Sequence, residues 1–205
     1  VNPVLREGNS DRRAPASVKA YAKKHPHVNK PFADGSKTNV ATMGAHDFKS
    51  NEKSVVMAAD DTLRVELVTA GGDTIVLKES LPVLAGEVVD ATVMQVAHLD
   101  GFLGNALAKA KADDVLFSVH LKATMMKVSD PIIFGHVVKQ YFEDVFDRYG
   151  ADLAAAGLSP NDGLGSIMAG LDGMPNGAQI KAAFEEGLAK GPRLSYVNSD
   201  RGITN

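Results

Sequence analysis

The residues best suited to chemistry are three arginines crowded into Arg6-Glu7-Gly8-Asn9-Ser10-Asp11-Arg12-Arg13. A guanidinium presents a planar fork of donors that pairs two-for-two with a carboxylate or a phosphate. Gly8 lets the backbone come close to a bound group, and Asn2, Asn9 and Ser10 add neutral hydrogen bonds. The segment has no apolar rhythm, so it is not a core element. A small polyanion (a di- or tricarboxylate, or a phosphate) is the partner such a set fits. The competing reading is a solvated loop in which Glu7 and Asp11 neutralise the arginines.

A second set lies on Val115-Leu116-Phe117-Ser118-Val119-His120-Leu121-Lys122. Side chains alternate sides along a strand, so Val115, Phe117, Val119 and Leu121 share one face. Leu116, Ser118, His120 and Lys122 share the other. In open α/β sheets ligands collect at the carboxyl ends of strands, and Lys122 stands at that end. There it can meet a substrate carboxylate, or move a proton if burial or nearby cations depress its pKa. Otherwise it is a surface lysine. A third set, Ser129-Asp130-Pro131, reads as a helix start, with Asp130 as the cap and Pro131 at the first helical position. Free N–H groups there could hold an anion, although a plain cap explains the same residues.

Other signals fail. Gly163-Leu164-Gly165 lacks the third glycine of a dinucleotide loop and no strand precedes it, and there is no P-loop. His25 and His27 flank Pro26 without a third ligand and read as a surface loop. His136 reads as a packed or solvated histidine. There is no cysteine, which excludes thiol nucleophiles, disulfide scaffolds and cysteine-ligated metals. With 22 Lys+Arg against 25 Asp+Glu, the net charge of −3 argues against non-specific nucleic-acid binding. No apolar run approaches the roughly 20 residues of a membrane span. No signal peptide is visible, so the expected compartment is the cytoplasm.

The elements that must position these groups can be read from periodicity. Residues 1–16 are irregular; Ser17 caps a short helix over 18–24, and residues 25–38 form a loop. Ser54–Ala58, Thr62–Val68 and Thr74–Leu77 are strand-like runs, the last two separated by Gly71-Gly72, a hairpin signal. They predict an antiparallel β-meander near residues 52–79. Val89, Val93, Val96, Leu99, Leu103, Leu107 and Ala110 form a helical stripe weakened by Gly101 and Gly104. A long helix should run from Asp130 to a C-cap at Gly150, with two short helices over 162–172 and 176–189 and a last strand over Leu194–Val197. The expected class is α/β with α+β character: a sheet flanked by helices.

Two runs carry a resemblance. Val4-Leu5-Arg6-Glu7-Gly8-Asn9-Ser10-Asp11-Arg12-Arg13-Ala14-Pro15, with Ser17-Val18-Lys19 and Lys24-His25-Pro26-His27 after it, closely resembles the monomeric type of bacterial NADP-dependent isocitrate dehydrogenase. So do the stretch Val115 to His136 and the closing Asp200-Arg201-Gly202-Ile203-Thr204-Asn205. Residues 28–52 and 151–195 agree more loosely.

The resemblance implies oxidation of isocitrate by NADP with loss of CO2 to give 2-oxoglutarate, at the junction of the tricarboxylic acid cycle and the glyoxylate bypass. It implies Mg²⁺ or Mn²⁺, which polarises the carbonyl so that CO2 can leave. It places the catalytic lysine on Lys122 and the substrate contacts on Asn2, Arg6 and Arg12. A substrate-contacting serine would precede Val1. The partner tyrosine, the metal-binding aspartates and most NADP contacts would lie beyond Asn205. No cofactor-binding or metal-binding residue is therefore expected within the chain.

The resemblance further implies an internal piece of a longer, monomeric enzyme. Residues 1–16 would be a substrate-contacting segment at a domain boundary, and 17–205 part of the large α/β domain. The piece alone should be inactive and should expose apolar surface, foremost at the helices over 162–189 and the final strand, through which copies could associate. The rival expectations are a stand-alone domain that binds a small carboxylate or phosphate without catalysis, and a structural domain without a ligand.

Overall fold

The computed structural model describes residues 15–26, 28, 31–120 and 128–195. The chain divides into two compact units, one over residues 42–99 and one formed by residues 1–41 with 100–205. Helices and small antiparallel sheets make up the described fold, as the mixed α/β expectation requires.

In the larger unit α1 (Ala16–Lys24) begins one residue ahead of the expected Ser17 cap. Pro15 stands at the cap position, and no side chain satisfies the first turn. A proline suits that place because its fixed φ already matches a helix start. The helix stops just before Pro26, with the His25 N–H bonded to the Tyr21 carbonyl.

The smaller unit opens with α2 (Phe48–Asn51), held by a reciprocal cap. Asp47 accepts from the Ser50 N–H at 2.8 Å, and the Ser50 hydroxyl accepts from the Asp47 N–H at 3.1 Å. Four strands follow: β1 (Lys53–Val56), β2 (Asp61–Val68), β3 (Thr74–Val83) and β4 (Val88–Ala91). β2 and β3 form the hairpin expected around Gly71-Gly72, and Gly72 carries the positive φ of 89° that favours glycine. The meander itself is not formed, because β1 pairs with β4 instead of β2. The reason is the turn after β3. Gly86, at φ 83°, reverses the chain so that Gly86 N–H donates to Met57 O at 2.8 Å and Met57 N–H to Glu87 O at 2.9 Å. This also removes Val89 from the expected helical stripe, since Val88-Val89 is part of β4.

α3 runs over Val96–Asp113, so the helix starts later than its stripe suggested, and Gly101 and Gly104 do not interrupt it. Leu103, Leu107 and Ala110 are buried as the spacing requires. The long helix expected from Asp130 to Gly150 is two: α4 (Ser129–Tyr141) and α5 (Glu143–Ala155). They meet at Phe142, which leaves helical torsions (φ −116°, ψ 38°) and turns its ring into the core. There the ring meets Phe184 edge-on, centroids 5.0 Å apart. Gly187 makes room, since a Cβ at that position would touch the Phe142 ring. Gly150 lies inside α5, and the reversal falls at Gly157, φ 71°.

α6 (Gly163–Gly170), a 3-10 turn over Leu171–Gly173 and α7 (Gly177–Lys190) match the two expected short helices. They are not the apolar orphans anticipated for them. Ile167, Leu171, Ile180 and Phe184 are fully enclosed with Val145 and Leu153 of α5. Enclosure of each such side chain stabilises by roughly 1.5–3 kcal/mol, so these helices are the centre of the larger unit's core.

Candidate functional site

The sequence singles out Asn2, Arg6, Arg12 and Lys122, and all four lie outside the described residues. What is described is the scaffold on either side of Lys122. The chain enters along residues 115–120 and leaves into α4 at Ser129.

The entering segment has the two faces its alternation predicts. Val115, Phe117 and Val119 are half-buried, while Leu116, Ser118 and His120 are exposed. Ser118 Oγ and His120 Nε2 lie 2.6 Å apart, on one side as residues two apart on a strand must be. The pairing is shorter than expected: one parallel bridge, Phe117 to Leu194. Phe117 N–H donates to Arg193 O at 2.7 Å, and Ser195 N–H donates to Phe117 O at 3.0 Å. The last strand expected over Leu194–Val197 is seen as this bridge; residues 196–197 lie outside the described residues.

Two side chains hold that pairing in place. The Arg193 guanidinium donates to Asp114 O at 3.0 Å. The Tyr141 hydroxyl donates to Pro192 O at 2.7 Å, and burial pushes this phenol's pKa up. Tyr141 was legible only as part of an apolar stripe. Its polar role shows once the chain after α7 is seen to return across the end of α4. Gly191 permits that return, because a Cβ there would overlap the Tyr141 ring.

The leaving side is α4. Val128 is its cap residue and no side chain bonds to its first turn, so Asp130 is not the N-cap the sequence suggested. Asp130 lies inside the first turn, buried, and its Oδ2 has no hydrogen-bond partner among the described residues. One face of α4 is pinned by His136, whose Nδ1 lies 2.7 Å from Asp100 Oδ1 of α3. His136 is therefore a packed histidine with a carboxylate partner, a pairing that no local spacing reveals. Gly135 beside it lies so close to Asn161 that a Cβ would overlap the carboxamide.

Elsewhere in the larger unit a groove of about 280 Å³ is lined by Lys111, Tyr141, Glu143, Arg148, Glu186 and Lys190, among others. Lys190 is ion-paired to Glu186, which holds the Glu186 carboxyl below and the Lys190 ammonium above their usual ranges. Arg148 donates to Asp144 O at 3.0 Å and lies over the Tyr149 ring. Lys190 and Arg148 are already engaged, and Glu143 and Glu186 line the same groove beside Lys111, so the groove is a poor anion site. Among the described residues no cluster of three or more His, Asp or Glu could hold a metal ion, and no helix is long and apolar enough to cross a membrane.

Comparison with known proteins supplies what the scaffold alone does not. A family model described as monomeric isocitrate dehydrogenase matches residues 1–205. The chain is 59% identical over 205 residues to an isocitrate dehydrogenase [NADP] of Corynebacterium efficiens. It is 58% identical over 205 residues to that of Corynebacterium glutamicum, and 45% over 207 residues to that of Azotobacter vinelandii. All of this chain is covered in each case, but it spans only 28% of the length of each relative.

Proposed function

Because the chain belongs to the monomeric isocitrate dehydrogenase family, we propose that it supplies the isocitrate-gripping part of an NADP-dependent isocitrate dehydrogenase. The observation that carries this reading is the match along all 205 residues to enzymes of that name. The enzyme would oxidise isocitrate with NADP and release CO2 to give 2-oxoglutarate, in the cytoplasm, with Mg²⁺ or Mn²⁺. Among the described residues no cluster of His, Asp or Glu would hold that ion, and its ligands would come from elsewhere in the longer polypeptide.

The roles assigned here follow the chemistry. Isocitrate carries three carboxylates, and the Arg6 and Arg12 forks would each engage one of them, with Asn2 adding a neutral contact. Lys122 would act as a proton carrier, working with a tyrosine elsewhere in the longer polypeptide on the substrate's hydroxyl and enol. Residues 1–16 would form a substrate-contacting segment at a domain boundary, and 17–205 part of the large domain. On this reading the 205 residues alone bind anions weakly and do not turn over.

The test is intact mass on the native protein beside an NADP-reduction assay with isocitrate and Mn²⁺. Turnover by a protein far heavier than 21.6 kDa, abolished by Lys122→Met, supports the reading. Turnover at 21.6 kDa would overturn the claim that essential groups lie elsewhere. A full-length protein that binds isocitrate but never reduces NADP would point instead to a binding domain.

A further inference from the structure

The hydroxyl–imidazole bond between Ser118 and His120 takes no part in holding its own segment. Residues 115–120 are held in two other ways. The Phe117 backbone pairs with the 193–195 return, donating to Arg193 O and accepting from Ser195 N–H. Val115, Phe117 and Val119 turn half-buried side chains to the opposite side. Ser118 Oγ and His120 Nε2 lie 2.6 Å apart, and among the described residues neither side chain makes another hydrogen bond. What this pair supplies is chemistry. An imidazole can take a proton on one nitrogen and release another from its second, and a hydroxyl can accept and donate at once. With Nε2 committed to Ser118, His120 Nδ1 is the nitrogen left for a further partner.

Chain connectivity supplies that partner. Lys122 follows His120 by two residues, so the two Cα atoms cannot be more than about 7 Å apart. A lysine's four-carbon stem spans such a gap. The alternation of the sequence also assigns Lys122 to the side of Ser118 and His120. Resting on the proposed function, we infer that Ser118 and His120 form a proton relay that acts through Lys122. The hydride leaves the hydroxyl-bearing carbon of the substrate for NADP, and the hydroxyl proton goes to the Lys122 amine. The ammonium passes a proton to His120 Nδ1. His120 Nε2 gives its own proton to Ser118 Oγ, and that hydroxyl releases one to water. Run backwards, the same path returns a proton for the enol carbon after CO2 has left. Neither residue touches the substrate on this reading; both act on the proton that Lys122 carries.

The test is made in the full-length enzyme with His120→Ala, Ser118→Ala and Ser118→Thr, following NADP reduction with isocitrate. The two alanine variants should lower kcat by about a hundredfold, the lower end of what a proton-transfer group contributes, and leave KM for isocitrate unchanged. Added imidazole should restore the rate of His120→Ala in proportion to its free base. Ser118→Thr, which keeps the hydroxyl, should recover most of the rate that Ser118→Ala loses. An unchanged kcat in His120→Ala overturns the inference. So does a fall that imidazole does not reverse, because lost packing would act in that way, and so does a loss confined to KM. If His120→Ala does not fold, the Ser118 variants decide: equal rates with alanine and threonine overturn the relay. An enzyme that loses turnover in Lys122→Met but keeps it in His120→Ala sinks the relay and leaves the function. A parent enzyme that never reduces NADP with isocitrate fails the function, and the relay falls with it.

Discussion

His136 Nδ1 stands 2.7 Å from Asp100 Oδ1, so an imidazole–carboxylate hydrogen bond ties α4 to α3. Both side chains are more than half-buried, at 18% and 32% exposed, and solvent weakens the bond less than it would a surface pair. Breaking it strands a polar group in a packed place. His136→Ala and Asp100→Ala should each lower unfolding stability by about 2 kcal/mol, measured by urea denaturation. The double variant should lose clearly less than the two losses added, because the second change removes a group already orphaned. Full additivity would show that the pair is not coupled.

The core prediction concerns the break between α4 and α5. Phe184 is fully enclosed and takes two aromatic edges, from Phe142 at 5.0 Å and from Phe146 at 6.0 Å between centroids. Phe184→Ala should cost roughly 3–5 kcal/mol and lower the thermal midpoint accordingly. A loss under about 1 kcal/mol would mean that the surroundings collapse into the gap, and that Phe142 is not held where it is by this ring.

What sequence reading captured, and what it missed, follows from the range of the interactions. The stripe from Leu99 to Ala110 and the glycines between β2 and β3 are local signals, and each located its element, whereas the period-two alternation at 115–120 gave the two faces of that segment but, in place of a strand, a single bridge at Phe117. The pairing of β1 with β4 depends on the reversal at Gly86, some thirty residues past β1, and alternation carries no such information. The stripe from Phe134 to Tyr149 stayed in phase across Phe142, so one helix looked sufficient. The break arises from a ring seeking Phe184 far along the chain. The helices over 162–189 looked separable for the same reason: their partners are distant in sequence. Of the candidate site, the proposed roles of Asn2, Arg6, Arg12 and Lys122 entered through resemblance, whereas the contacts of Asp100, Tyr141 and the 192–195 return came only from three dimensions.

Two glycines should respond oppositely to the same change. Gly177 opens α7 directly against the Leu171 carbonyl, and a Cβ there would overlap backbone that cannot swing aside. Gly101 sits in α3 with open space around the place a Cβ would take. Gly101→Ala should stabilise by about 0.5–1 kcal/mol through backbone entropy and helix propensity. Gly177→Ala should destabilise despite the same propensity gain. Denaturant midpoints of the two variants, measured side by side, check the contrast; a stabilised Gly177→Ala protein would show that α7 shifts freely relative to Leu171.

Tyr141 supplies the pH prediction. Its hydroxyl donates to Pro192 O and is partly shut off from water, so burial raises its pKa above the usual 10.0. A raised folded-state value means that the fold holds the proton more tightly than the unfolded chain does. The resulting stability is fully present below the unfolded tyrosine value near 10 and is lost as pH rises through the higher folded value. Ionisation would also turn the donor into an acceptor facing a carbonyl, releasing the 192–195 return that pairs with Phe117. Tyr141→Phe should therefore lower stability by about 1 kcal/mol at neutral pH while flattening the alkaline decline. The check is urea denaturation from pH 7 to 11 with tyrosinate absorbance followed in parallel. On the proposed function, the same variant in the longer enzyme should reduce turnover more than substrate affinity, because it loosens the 192–195 return that pairs with Phe117 and removes none of the proposed arginine contacts. An unchanged alkaline limb in Tyr141→Phe would remove this hydroxyl from the account of how that segment is held.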